Sequence, residues 1–143
     1  MQTIQEVMTR DVQTISTQDS VQRAAQLMDE LNVGAIPVVD DGRLVGMITD
    51  RDITVRSVAV GQDPAGTRVN DVMSTDVRTC TADQGVEDVL AQMADVQIRR
   101  VPVVDGNGQV IGIVSLGDVV TKAPVEVEQT LDEISTPSEP DRS

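Results

Sequence analysis

The chain is written twice. Val7-Met8-Thr9-Arg10-Asp11-Val12-Gln13-Thr14 returns as Val72-Met73-Ser74-Thr75-Asp76-Val77-Arg78-Thr79. At the same spacing Pro37-Val38-Val39-Asp40 returns as Pro102-Val103-Val104-Asp105. After a one-residue insertion in the next turn, Gly46-Met47-Ile48-Thr49-Asp50-Arg51-Asp52 is matched by Gly112-Ile113-Val114-Ser115-Leu116-Gly117-Asp118. Three matched blocks in one order establish an internal duplication, so one small unit is built twice.

Each copy predicts the same elements. A short strand ends near Ile15 or Cys80. Asp19-Ser20 then offers cap oxygens to a helix with Val21, Ala24, Ala25, Met28 and Leu31 on one face, matched by Val86, Val89, Leu90, Met93 and Val96 in the second copy. Two apolar strands follow, 36–39 and 44–48, around the hairpin signal Asp41-Gly42; their counterparts, 101–104 and 110–114, flank Gly106-Asn107-Gly108. A second helix starts at Thr49 or Ser115. The expected fold class is α+β (or α/β), two β-α-β-β-α repeats with pseudo-twofold symmetry. The repeats are placed at 1–60 and 69–123, joined by a crossover at 61–68. An acidic tail, 124–143, carries disorder-promoting Pro137-Ser138-Glu139-Pro140. Within the tail Val127, Leu131 and Ile134 allow one short amphipathic helix over 125–134.

Composition narrows the chemistry. There is no His, Phe, Tyr or Trp, so imidazole-based nucleophile systems and imidazole metal ligands are excluded. One cysteine, Cys80, permits neither an internal disulfide nor a Cys-cluster metal site. The net charge of −13 opposes DNA, RNA and anionic membranes, and aromatic stacking platforms are missing. The N-terminal stretch has no basic region leading into an apolar one, and no apolar run approaches the roughly 18 residues of a membrane span. The expectation is a cytoplasmic protein with no nucleic-acid or membrane partner, no catalytic residue and no metal.

These blocks resemble the tandem cystathionine-β-synthase (CBS) domain pair, or Bateman module. The resemblance rests on two Gly-x-x-Thr/Ser-x-x-Asp segments in register, Gly46–Asp52 and Gly112–Asp118, supported by the Pro-Val-Val-Asp blocks and by Asp71-Val72-Met73. It spans about 3–121 and implies two clefts between the repeats that hold AMP, ADP, ATP or S-adenosylmethionine as a regulatory ligand. No cofactor is required. It also implies a homodimer that signals to an effector protein by a conformational shift.

Two readings of Thr49 and Asp52 stand side by side, and equally for Ser115 and Asp118. A hydroxyl three residues before a carboxylate at a helix start is close to a capping box, which the residues alone favour. The resemblance instead gives the carboxylate to the two hydroxyls of a ribose, one on each oxygen, and turns the helix N–H groups toward a phosphate. For phosphate the cations are Arg51, Arg99, Arg100 and Lys122. The resemblance assigns Arg99 and Arg100 to the ligand of Thr49 and Asp52, whereas the first copy has Gly34 and Ala35 in their place. An adenine ring would lie between aliphatic side chains, from Ile15, Val33 and Ile36 or from Cys80, Ile98 and Val101, all equally readable as core. Two rival functions remain: a ligand-independent dimerisation scaffold, and a metal-dependent nucleotide hydrolase using Asp carboxylates.

Overall fold

The computed structural model describes residues 2–96 and 98–122. The tail at 124–143, its expected helix and the Lys122 side chain lie outside the described residues. The elements are α1 (Ile4–Val7), β1 (Ile15–Ser16), α2 (Val21–Leu31), β2 (Ala35–Asp40), β3 (Arg43–Thr49), α3 (Asp50–Ile53), α4 (Val86–Val96), β4 (Arg100–Val104), β5 (Val110–Ser115) and α5 (Leu116–Lys122). A π-helical stretch, Thr54–Val58, continues α3, and a 3₁₀ turn spans Val69–Asp71. The fold is mixed α+β, as the repeat pattern predicts.

Packing divides the chain into two compact units. The first holds residues 13–77; the second joins residues 2–12 to the described residues of 78–122. Sequence repeats and packing units are therefore two different partitions of the chain. The head of each repeat, Val7–Thr9 or Val72–Ser74, packs in the unit built on the other repeat's strands.

In the first unit Ser20 caps α2, its Oγ accepting from the Arg23 N–H at 3.0 Å. The buried face of α2 is Val21, Ala24, Leu27 and Met28. Ala25 is exposed and Leu31 is 40% exposed, so the buried stripe lies rotated from the expected one, with Leu27 in Leu31's place. The sheet runs β1-β2-β3, parallel then antiparallel. Asp41 and Gly42 both adopt positive φ, 52° and 81°, as a tight two-residue hairpin turn requires. The core gathers Ile15, Val21, Ala24, Leu27, Met28, Ile36, Val38 and Ile48 with Val69 and Val72 of the other repeat's head.

The second unit repeats the plan. β4 pairs with β5 antiparallel, and a register shift at Val103/Val104 matches the one at Val38/Val39 in β2. Cys80 forms only a parallel bridge to Val103, where Ile15 begins a two-residue strand. Asp105 closes the β4–β5 turn by accepting from the N–H groups of Asn107 (2.9 Å) and Gln109 (3.0 Å). Ile4, Val7 and Met8 complete a core with Cys80, Val86, Val89, Leu90, Met93, Val101, Val103, Val114 and Val119. Both cores are built from aliphatic side chains, methionines and one cysteine, with no aromatic residue.

Candidate functional site

β3 delivers Thr49 to the start of α3, where the chain needs a cap. Thr49 Oγ1 accepts from the Asp52 N–H at 3.0 Å, and Asp52 Oδ2 accepts from the Thr49 N–H at 3.1 Å. The capping box is closed. Asp52 has further partners. Only 8% exposed, it receives the Ser74 hydroxyl, whose Oγ stands 3.1 Å from Oδ1 and 3.3 Å from Oδ2. Arg56 Nε lies 3.9 Å from Oδ1, and its Nη1 donates to the carbonyls of Met73 (3.2 Å) and Val72 (3.4 Å). A carboxylate this buried needs such donors to offset its lost hydration.

Gly46, which opens the motif, is required by the same segment. Met47 and Ser74 exchange backbone hydrogen bonds of 2.9 and 2.8 Å across an isolated bridge. A Cβ on Gly46 would stand 2.6 Å from the Ser74 carbonyl oxygen, closer than packing allows. The Gly admits the head segment, the bridge pins it, and Ser74 is thereby aimed at Asp52.

The second unit rebuilds this arrangement. Ser115 Oγ accepts from the Asp118 N–H at 3.1 Å, and Asp118 Oδ2 accepts from the Ser115 N–H at 3.2 Å. Thr9 takes Ser74's place, its Oγ1 donating to Asp118 Oδ2 at 3.2 Å. Thr9 and Ile113 exchange backbone bonds of 2.8 and 3.0 Å, and a Cβ on Gly112 would meet the Thr9 carbonyl oxygen at 2.9 Å.

The expected adenine residues split by exposure. Ile15, Ile36, Cys80 and Val101 are buried core members, while Val33 and Ile98 are half-buried against those cores. Val33 and Ile98 are thus the members with surface to offer a ring. Burial pushes the Cys80 thiol up to about 11, which removes thiolate character at neutral pH. Among the cations, Arg51 and Arg99 are exposed. Arg100 pairs in register with Ser115, so the two share a face of the β4–β5 sheet. Its Nη1 is buried and makes no hydrogen bond among the described residues. Ala35, opposite Thr49, occupies the equivalent position in the first unit. Arg99 and Arg100 belong to the second unit, Thr49 and Asp52 to the first.

Ser74, Thr9 and Arg56 were invisible to motif reasoning. Their signal was nonetheless in the duplication, because Thr9 and Ser74 follow the matched methionines Met8 and Met73, and Arg56 is the counterpart of Lys122. Among the described residues, no group of three or more His, Cys, Asp or Glu side chains is placed to hold a metal ion. No described helix is long and apolar enough to cross a membrane.

The duplication has a counterpart among known proteins. The model of the CBS domain matches residues 4–58 and again residues 69–124. The chain belongs to the CBS domain family. It is 47% identical over 119 residues to the CBS domain-containing protein YhcV of Bacillus subtilis (strain 168), covering 83% of this chain and 84% of YhcV. Among solved structures, this CBS pair resembles CBSX2 in complex with AMP, with a TM-score of 0.75 and 29% identity, covering 86% of this chain and 96% of that one. It also resembles the CBS domain pair of MJ0100 in complex with 5′-methylthioadenosine and S-adenosyl-L-methionine, with a TM-score of 0.74 and 29% identity over 84% of this chain and 98% of that one.

Proposed function

We propose that this CBS pair is a regulatory module that binds an adenosine-containing ligand (AMP, ADP, ATP or S-adenosylmethionine) and passes the bound state to a partner protein as a conformational shift. Asp52 and Asp118 receive the ribose hydroxyls, Thr49 and Ser115 hold those carboxylates in place, and Val33 and Ile98 contribute the aliphatic walls of the adenine slots. Arg51, Arg99, Arg100 and Lys122 are the candidate phosphate partners. The observation that carries this reading is Asp52 itself, a buried carboxylate both of whose oxygens already accept from a hydroxyl. A vicinal diol would bring two hydroxyl donors to the same edge, one for each oxygen. Two family neighbours whose structures hold adenosine-containing ligands support it.

The output is binding energy rather than chemistry: a ligand that prefers one arrangement shifts the population toward it by its differential affinity. The module acts in the cytoplasm as a homodimer. Val55 and Val58, 48% and 60% exposed in the π-helical stretch, offer apolar surface to a second copy. Light scattering on the whole chain tests this: a dimer that Val55→Asp/Val58→Asp converts to a monomer is expected, and a wild-type monomer contradicts it.

One observation favours a ligand-independent scaffold, namely that Asp52 is already fully employed as a cap. A thermal shift separates the two readings. Ligand at 100 times its dissociation constant adds about 2.7 kcal/mol to folding stability. A shift with AMP, ATP or S-adenosylmethionine supports the sensor, and none with any of the three supports the scaffold.

A further inference from the structure

We propose that Ser74 is an affinity- and specificity-setting residue of the Asp52 site, its hydroxyl acting as an internal stand-in that a ribose must displace. The inference rests on the reading that Asp52 receives a ribose diol. An oxygen 3.1 and 3.3 Å from the two carboxylate oxygens stands on the outer edge of the group, between them. That is the edge from which a vicinal diol would approach to place one hydroxyl on each oxygen. The other approaches are taken: the Thr49 N–H binds Oδ2 at 3.1 Å, Arg56 Nε lies 3.9 Å from Oδ1, and the residue as a whole is 8% exposed. A single hydroxyl proton shared by two acceptors makes a poorer contact than two full hydrogen bonds, so a diol gains by replacing it and a lone hydroxyl gains much less.

The Ser74 backbone can stay where it is while its side chain leaves. Its N–H and carbonyl are both bonded to Met47, at 2.8 and 2.9 Å, and these bonds do not involve the side chain. Displacement is then one rotation about χ1. Its cost is one hydrogen bond to a carboxylate, which the site carries as a standing penalty against every ligand. Ser74 thereby sets both how tightly the Asp52 site binds and how strongly it prefers a diol over a single hydroxyl.

Calorimetry on the whole chain in an Asp118→Asn background makes the Asp52 site the reporter, with AMP and 2′-deoxyadenosine monophosphate as probes. Ser74→Ala is expected to bind AMP roughly fivefold more tightly, the equivalent of one net hydrogen bond. Ser74→Thr, which keeps a hydroxyl, is expected to bind like the parent. The deoxy probe is expected to gain less than AMP from Ser74→Ala. A merely structural role would have the opposite sign, because loosening Asp52 weakens AMP. Equal or weaker AMP binding by Ser74→Ala, with Asp52→Asn still abolishing it, overturns the proposal and leaves the ribose reading intact. AMP binding that survives Asp52→Asn, or no binding by either parent or Ser74→Ala, removes the ribose reading and this proposal with it.

Discussion

The two units are one design executed with different residues. Both close a capping box at the head of a helix, Thr49 with Asp52 and Ser115 with Asp118. Both aim a hydroxyl at the carboxylate from a head segment bridged to the edge of the hairpin, Ser74 in one and Thr9 in the other. They part at the strand opposite the cap, where the first unit has Ala35 and the second has Arg100. The duplicated scaffold therefore conserves the carboxylate and its support, and varies the charge beside it. On the proposed reading, what the two units share would serve a ribose, and what separates them would serve the rest of the ligand.

The largest expected effect tests the partition itself. A fragment of residues 13–77 carries the whole first-unit core, including Val69 and Val72. It is expected to unfold cooperatively in urea. A fragment of residues 1–60, cut at the sequence repeat, lacks those two residues and is expected to show no transition. Cooperative folding of the second fragment and not the first would break the assignment of heads to units.

Next in size are the glycines. Gly46→Ala drives a Cβ to 2.6 Å from a backbone oxygen, Gly112→Ala to 2.9 Å from another and 2.8 Å from the flexible Met8 Sδ. Overpacking of this kind costs about 1–3 kcal/mol. Chemical denaturation is expected to put Gly46→Ala at the upper end and Gly112→Ala below it, and the reverse order would contradict the steric account.

A third comparison concerns charge. Asp52→Ala is expected to weaken AMP binding more than Asp118→Ala, as the expected service of Arg99 and Arg100 to the ligand of Asp52 requires. Arg99→Ala/Arg100→Ala should then weaken AMP about tenfold in an Asp118→Asn background, the loss of one or two charge-assisted bonds. If the double arginine variant instead acts only in an Asp52→Asn background, the arginines serve the site of Ser115, beside which the β4–β5 register sets Arg100.

The smallest effect separates Cys80 from Ile15, its counterpart. The Cys80 thiol titrates near 11 in the folded chain against an ordinary 9.0, because burial disfavours the thiolate. The unfolded chain therefore releases its proton first as pH rises. The stabilising contribution is complete below pH 9.0 and is lost as pH rises toward 11. Cys80→Val is expected to flatten the alkaline limb of the stability curve, and an unchanged limb assigns that limb to other groups.

Much of this was legible in the residues. The hairpins followed from apolar strands around the turn signals Asp41-Gly42 and Gly106-Asn107-Gly108, and the helix starts followed from Ser20, Thr49 and Ser115. The phase of α2 was less so, since Leu27 and Leu31 both fit a helical stripe and only packing into the first-unit core selects Leu27. The exchange of heads was not legible at all. Val7-Met8-Thr9 and Val72-Met73-Ser74 carry nearly the same pattern, so either would satisfy either hairpin edge locally, and the choice belongs to the chain's long-range path. Ser74 was hidden for the same reason: it reaches Asp52 from 22 residues away, through a contact that no local spacing encodes, whereas Arg56, at i+4 from Asp52, lay within ordinary helical reach.

The central claim is that Asp52 and Asp118 are ribose-binding carboxylates of an adenosine-sensing CBS pair. Calorimetric titration of AMP into the whole chain and into Asp52→Asn/Asp118→Asn tests it most directly. Each Asn can accept only one of two hydroxyls, and losing a charge-assisted bond costs about 1.5–3 kcal/mol. The expected result is saturable binding to the parent and a loss of at least about tenfold in the double variant, with circular dichroism showing both folded. Equal binding by the two proteins would contradict the account, leaving both carboxylates as helix caps and nothing more.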